Sequence, residues 1–194
     1  MVILTMRIDE MTPFELGAKI RSINENIPML LLLNSDSDIE LIRGTGERLR
    51  LFDRIFVWHG DAKIFLAMIK YVEDAVNVVN DTRIRHVRVI LLGEDSIRYY
   101  SRYLPILNVE VMKQTQRLIA DEQLNDMKKL LRMRTRPKIL MTDNYEDAVA
   151  ISDRHKDYLL CVISDMRFLR NGEVDDQAGL SLIRYIKEHL PPLP

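Results

Sequence analysis

Apolar residues gather into six short, uninterrupted runs, separated by longer stretches in which apolar positions recur every three or four residues. Continuous apolar runs of this length are typical of parallel strands buried on both faces, and the three-to-four spacing is typical of helices. The predicted strands cover residues 2–6, 27–33, 55–58, 87–92, 138–141 and 159–164. Alternation of such strands with helices, joined by right-handed crossovers, predicts an α/β fold with a doubly wound parallel sheet.

The longest helical pattern covers residues 97–134, with Pro105 as an early kink or break. Such a helix is more than twice the length needed to cross back over a sheet, so part of it is expected to project or to contact another chain. Residues 106–134 are therefore a predicted homodimer contact. The other predicted helices cover residues 14–23, 39–49, 64–76, 145–155 and 178–189, and the polar residues 77–86 are a predicted linker.

The composition argues against nucleic-acid binding, an internal disulfide, a zinc site and a membrane span. The 28 basic and 29 acidic residues give a net charge of -1, so no overall field favours nucleic acid or anionic lipid. The single cysteine, Cys161, excludes an internal disulfide and favours a reducing compartment. The four histidines lack zinc-ligand spacing. No apolar run approaches the ~20 residues of a membrane span, and no signal peptide is visible, so we expect a soluble cytoplasmic protein.

The candidate chemistry lies where two predicted strands end. Residues 159–168, LLCVISDMRF, place Asp165 directly after a strand, and Glu94 and Asp95 follow the strand VRVILL. Parallel strands bring such residues to one sheet edge, where three carboxylates repel one another unless a cation neutralises them. An all-oxygen ligand set suits Mg²⁺, and one carboxylate could then accept a phosphoryl group. The alternative is that these residues are separate helix caps that never meet.

These motifs resemble the receiver domain of bacterial two-component response regulators. Residues 87–190 are similar to its first three β/α units, with ILLGED as the acidic pair and VISDMRF as the acceptor strand. The resemblance implies that Asp165 is the phosphoacceptor, that Glu94 and Asp95 bind Mg²⁺ together with the backbone carbonyl of Arg167, and that a sensor histidine kinase or phosphotransfer protein is the donor. Two features depart from the family. Leu169 replaces its usual proline, and residues 170–177 form an insertion.

Residues 1–80 resemble the last three units of a second, degenerate receiver, in which MRIDEMTPFEL follows the family's post-acceptor loop. The acceptor position is Thr5, which cannot form an acyl phosphate. Ser35 fits the hydroxyl residue that contacts the phosphoryl group. Trp58 stands where the family has a lysine, so the cation that pairs with the phosphoryl oxygens in the family is missing.

The whole chain is also similar to the tandem receiver-like segment upstream of phosphoenolpyruvate-synthase-type nucleotide-binding domains, through FVWHGDAKIFLAMIKYVED, RMRTRPKI and VISDMRFLRNGE. This resemblance implies a flavodoxin-like receiver fold with six β/α units in permuted order. Residues 1–80 would form the C-terminal half of one receiver and residues 87–194 the N-terminal half of the next. The halves could close one domain within a chain or between swapped chains.

The expected function is a phosphorelay receiver module that is not an enzyme beyond its own phosphorylation. The main alternative is a pseudo-receiver, a scaffold that works without phosphorylation. An enzyme acting on a small phosphorylated molecule is a more distant alternative.

Overall fold

A computed structural model describes residues 1–6, 11–44, 46–120 and 136–190, without the side chains of residues 47 and 118–120. The strands are β1 (Val2–Thr5), β2 (Met29–Leu33), β3 (Arg54–Val57), β4 (Val89–Gly93), β5 (Lys138–Thr142), β6 (Leu159–Ser164), β7 (Phe168–Arg170) and β8 (Glu173–Asp175). The α-helices are α1 (Pro13–Ile23), α2 (Asp36–Arg43), α3 (Lys63–Arg85), α4 (Ile97–Ala120), α5 (Tyr145–Arg154) and α6 (Ala178–His189). A short 3₁₀ helix covers Gly46–Leu51.

The chain divides into two compact units. The first contains Met1–Val72 and Ile97–Pro105, and the second contains Glu73–Ser96 and Ile106–Pro194. Hydrogen bonding accordingly divides the six main strands into two parallel sheets of three strands each. The predicted α/β class with parallel strands is confirmed at this level, and closure of the two halves into one receiver-like domain stays a prediction.

The first unit is built on the strand order β1-β2-β3, with β2 buried along its whole length because it is the central strand. Helix α1 begins with a reciprocal cap. The Thr12 hydroxyl accepts from the Glu15 amide at 3.2 Å, and the Glu15 carboxylate accepts from the Thr12 amide at 2.9 Å. The core residues of this unit include Leu31, Ile42 and Val57.

The second unit has the strand order β5-β4-β6, with the buried β4 at its centre. An antiparallel hairpin, β7 and β8, follows β6. Its two turn residues, Asn171 and Gly172, both have positive φ, of 53° and 80°. This is the backbone geometry that matches the twist of a tight hairpin, and an Asn-Gly pair adopts it readily.

A buried ion network fastens helix α3 to the start of β5 within the second unit. Asp74 accepts two hydrogen bonds from the Arg136 guanidinium, at 2.6 and 3.0 Å, and a third from the Ile139 amide at 3.0 Å. The Lys138 ammonium lies 2.8 Å from Asp81 and 3.7 Å from Asp74. Each charge is paired, which is the condition under which charges tolerate burial.

Several sequence predictions were wrong. The predicted linker at residues 77–86 is largely helical, because Val78, Asp81 and Thr82 continue the buried face of α3 as far as Arg85. Helix α4 continues through Pro105, so the predicted break is absent, and the alternative of a kink there stays a prediction. Conversely, α2 ends at Arg43 and a 3₁₀ helix replaces the predicted continuation to residue 49.

Strand β6 also differs from the buried strand that its sequence predicts. It lies at the edge of the sheet order, and the Ile163 side chain is 39% exposed. The hairpin at Phe168–Asp175 was not predicted as strands at all. Residues 121–134, about half of the predicted dimer helix, lie outside the described residues.

A candidate acidic site at the carboxyl edge of the second sheet

Strand register brings three carboxylates to one level at the end of the second sheet. Gly93, the last residue of β4, pairs with Thr142 of β5 and with Ser164 of β6. The residues that follow are Glu94, Asp143 and Asp165. Two further bonds hold this edge, because the Glu94 amide donates to Thr142 and the Asp165 amide donates to Gly93, both at 2.9 Å.

The carboxylates predicted from the sequence do converge. Glu94, Asp95 and Asp165 each offer an oxygen such that all three oxygens lie within 4.8 Å of one another. Glu94 is buried, Asp95 is half-buried and Asp165 is exposed. Glu94 accepts from the Ser96 amide at 3.0 Å, and Asp165 accepts from the Met166 amide at 2.7 Å. The cluster thus has a fixed inner carboxylate and an outer one that a second molecule can reach.

The pKa values of the cluster reflect burial first and repulsion between the carboxylates second. Burial raises the pKa of Glu94 to about 7, and repulsion from Asp165 and Asp95 adds to the shift. Burial also raises the pKa of Asp95, again with repulsion from Asp165. Asp143 raises the pKa of Asp95 further, whereas the positive charge of Arg167 opposes the rise. A cation bound among these oxygens would relieve this repulsion.

Asp143 is a member of the site that sequence reasoning missed. It follows β5 directly, in the position that Glu94 occupies after β4. The signal was present in the sequence, since the predicted strand at residues 138–141 is followed at once by a polar Thr-Asp-Asn segment. The next residue, Asn144, donates to the Asp143 carboxylate at 3.1 Å and caps helix α5.

The loop after Asp165 is held from two sides. Phe168 is fully buried and anchors the start of the hairpin, and Leu169 forms a parallel bridge with Asn144. Leu169 also pairs with Val174 across the hairpin. The main chain at this position therefore takes part in strand pairing, which explains a residue other than proline there. Arg167, predicted to offer its carbonyl to a metal, has its side chain 3.2 Å from Asp176.

The carboxyl edge of the first sheet carries other side chains than the acidic cluster of the second sheet, among them Ser35, Thr5 and Trp58. Ser35 is the N-cap of α2, and its hydroxyl lies 2.7 Å from that of Ser37. Ser35 belongs to the first unit and Asp165 to the second, so the predicted contact of Ser35 with a phosphoryl group stays a prediction. Thr5 ends β1 beside Leu32, and Trp58 is 42% exposed just after β3.

Two guanidinium groups and an imidazole ring lie near the Asp36 carboxylate at this first edge. Asp36 lies 3.2 Å from the His59 ring, 3.1 Å from the Arg98 guanidinium and 3.9 Å from that of Arg102. Within the described ranges, Glu94, Asp95 and Asp165 are the single group of three His, Cys, Asp or Glu side chains close enough to hold a metal ion.

The three carboxylates fit Mg²⁺ as a group, because they supply hard oxygen ligands and carry mutual repulsion that a divalent cation offsets. Comparison with known proteins found no matching family model, no matching curated protein and no matching solved structure. Among the described helices, none has the length and apolar character needed to cross a bilayer.

Proposed function

We propose that this chain is a receiver-like module of a phosphorelay, which accepts a phosphoryl group on Asp165 with Mg²⁺ held by Glu94, Asp95 and Asp165. The observation that carries the proposal is the convergence of these three carboxylates within 4.8 Å, with the reactive member exposed and an inner member buried. The backbone carbonyl of Arg167 completes the proposed metal ligands.

The strand orders support a flavodoxin-like, doubly wound fold in permuted order. The order β5-β4-β6 corresponds to the 2-1-3 part of the flavodoxin-like order, and β1-β2-β3 corresponds to its 3-4-5 part. In such folds, ligands bind beyond the carboxyl ends of the strands. Asp165 stands at that end of β6, as a phosphoacceptor of this class would.

In the proposed step, an Asp165 carboxylate oxygen attacks the phosphorus of the donor. The new O–P bond forms as the bond from phosphorus to the donor's nitrogen or oxygen breaks, and the leaving group takes the electron pair. Bound Mg²⁺ would supply charge neutralisation for the phosphoryl oxygens. The Met166 amide, 2.7 Å from one Asp165 oxygen, holds the carboxylate in orientation. The proposed donors are a sensor histidine kinase or a phosphotransfer protein.

The second candidate is a pseudo-receiver that serves as a scaffold without phosphorylation. The first sheet favours it, since its carboxyl edge has Thr5 and Trp58 at the acceptor and lysine positions. Asp36 at this edge is paired with the Arg98 and Arg102 guanidiniums and lies beside the His59 ring. Under this proposal the acidic cluster would bind a cation without any phosphotransfer.

Intact-mass measurement with Mg²⁺ and acetyl phosphate separates the two candidates. We expect the wild-type chain to gain the mass of one phosphoryl group, and hydroxylamine to remove it, because acyl phosphates are cleaved by that nucleophile. Asp165→Asn should gain nothing. Asp157→Asn is the matched control, because Asp157 is exposed just before β6, at the opposite end of the same strand. No gain in the wild type, or an equal gain in Asp165→Asn, would contradict phosphorylation at Asp165.

A further inference from the structure

The β7–β8 hairpin begins shortly after Asp165 and passes close to the end of the central strand β4. The fully buried Phe168 side chain lies 3.8 Å from the point that a Cβ atom on Gly93, the last residue of β4, would occupy. The next residue, Leu169, forms its parallel bridge with Asn144, which follows β5. Strand β7 therefore leads from the end of β6, past the end of β4, to the end of β5.

This path connects two strands that the sheet itself does not join. In the order β5-β4-β6, both outer strands pair with β4 and not with each other. The bridge between Leu169 and Asn144 supplies a main-chain connection between their carboxyl ends. The position of the chain just after β6, which includes Asp165, therefore depends on where the hairpin lies.

One side chain of the hairpin, that of Arg170, contacts both neighbouring helices. Its guanidinium carbon lies 4.4 Å from the centre of the Tyr145 ring, at the start of α5. One guanidinium nitrogen donates to Ser181 of α6 at 3.4 Å and to Asp175 of β8 at 3.3 Å. A guanidinium is attracted to an aromatic face and can donate to several acceptors at once. Arg170 thus joins the two hairpin strands to each other and to α5 and α6.

Two weaker contacts complete the attachment of the hairpin. The Asn171 amide, at the turn, donates to Glu146 of α5 at 3.0 Å. The Arg167 guanidinium lies 3.2 Å from Asp176, just after β8, but both side chains are exposed. An exposed ion pair of this kind contributes little. Arg170 is half-buried, so its contacts are the ones expected to matter most.

We propose that the β7–β8 hairpin sets the position of the Asp165 loop in the acidic site, and that Arg170 is the positioning residue that holds the hairpin. This inference deepens the proposed function and rests on it for the roles of Asp165 and Mg²⁺. Arg170 acts through the main chain from Phe168 back to Asp165 and touches no reacting atom. Loss of its contacts should loosen this loop without unfolding the second unit.

Mg²⁺ titration by calorimetry, together with phosphorylation by acetyl phosphate, tests this role in the site. Arg170→Met removes the charge and the donors, and should weaken Mg²⁺ binding and slow phosphorylation, each about 10-fold, as loss of residues that orient metal ligands typically does. Arg170→Lys keeps a charge near the Tyr145 ring without the forked donors, and should fall between Arg170→Met and the wild type. Arg184→Met makes the same change at an exposed position of α6 and should match the wild type.

Amide hydrogen exchange of the metal-free chain separates positioning from a general loss of stability. The Gly179 amide, which donates to the Met166 carbonyl, reports on the loop. The Leu91 amide, in the buried strand β4, reports on the core. Arg170→Met should speed exchange at Gly179 at least about 10-fold and leave Leu91 unchanged, because only local opening becomes easier.

Equal acceleration at Gly179 and Leu91, or none at Gly179, would overturn the positioning role. So would an Arg170→Met chain that binds Mg²⁺ as tightly as a wild type that binds it. Where Arg170→Met does not fold, Arg170→Lys serves for the same comparisons. A wild type that neither binds Mg²⁺ nor gains a phosphoryl group would contradict the proposed function, and hydrogen exchange alone then decides whether Arg170 positions the loop.

Discussion

The backbone carbonyl oxygen of Asp165 lies 2.0 Å from the point that a Cβ atom on Gly179 would occupy. The Gly179 amide meanwhile donates to the carbonyl of Met166 at 3.0 Å. The first turn of α6 thus approaches the loop after β6 more closely than any side chain would allow. This contact fixes the position of the proposed acceptor relative to the helix that follows it.

Gly179→Ala is expected to displace the loop that carries Asp165. The new methyl group must push away main-chain atoms rather than a flexible side chain, which costs about 1–3 kcal/mol. Urea unfolding should show this loss, and phosphorylation by acetyl phosphate should slow in the same variant. Gly44→Ala is the control, because a Cβ there meets nothing within 4 Å and φ is -79°. Equal stability of the two variants would show that the close approach of Gly179 to the Asp165 carbonyl does not constrain the loop.

Asp74→Ala is expected to destabilise the second unit by about 3–5 kcal/mol, because it leaves the buried Arg136 without its paired carboxylate. Chemical unfolding followed by circular dichroism measures the change. Asp176→Ala removes an exposed pairing, with Arg167, in the same unit and should cost about 0.5 kcal/mol or less. A small effect of Asp74→Ala would mean that water or a rearranged Asp81 satisfies Arg136.

Glu94 should contribute stability that is lost as pH rises from about 4.5 to 7. In this range the unfolded chain, with the usual pKa of 4.5, releases the Glu94 proton before the folded chain, where the pKa is about 7. The unfolded state is therefore favoured progressively, by roughly 3 kcal/mol at most, since each tenfold difference in proton affinity corresponds to about 1.4 kcal/mol. Thermal unfolding across this range should show the fall in the wild type.

Glu94→Gln should remove that fall, whereas Glu188→Gln, an exposed change on α6, should retain it. Added Mg²⁺ should reduce the fall in the wild type, since a cation favours the ionised carboxylate. A pH profile that is identical in wild type and Glu94→Gln would contradict the raised pKa.

The six main strands of the fold were largely predictable, because short continuous apolar runs bounded by polar residues are typical of buried strands. Residues 159–164 and 178–189 were predicted with the bounds that the structure has. The extension of α3 was not predicted, because its buried face continues through Asp74 and Asp81. Their carboxylates look like surface residues until Arg136 and Lys138, more than fifty positions along the chain, are placed beside them.

The candidate site was predictable where its residues directly follow a predicted strand. Glu94, Asp95 and Asp165 were identified since each follows a recognisable strand, and the structure brings them together. The burial of Glu94 was not predictable, since it depends on which strands are neighbours. Asp143 was missed although it directly follows a predicted strand, as Glu94 does. The hairpin was read as an insertion, although its Asn171-Gly172 turn was a usable signal.

Strand β6 has a single sheet neighbour, β4, in the part of the chain that the structure describes. The Asp165 amide donates to Gly93 on the β4 side, so by alternation the amides of Val162 and Ser164 point to the outer side. Amide hydrogen exchange along this strand is therefore expected to alternate between slow and fast. Exchange at these outer amides would report local opening of the strand that leads to the proposed acceptor, without unfolding of the remaining core.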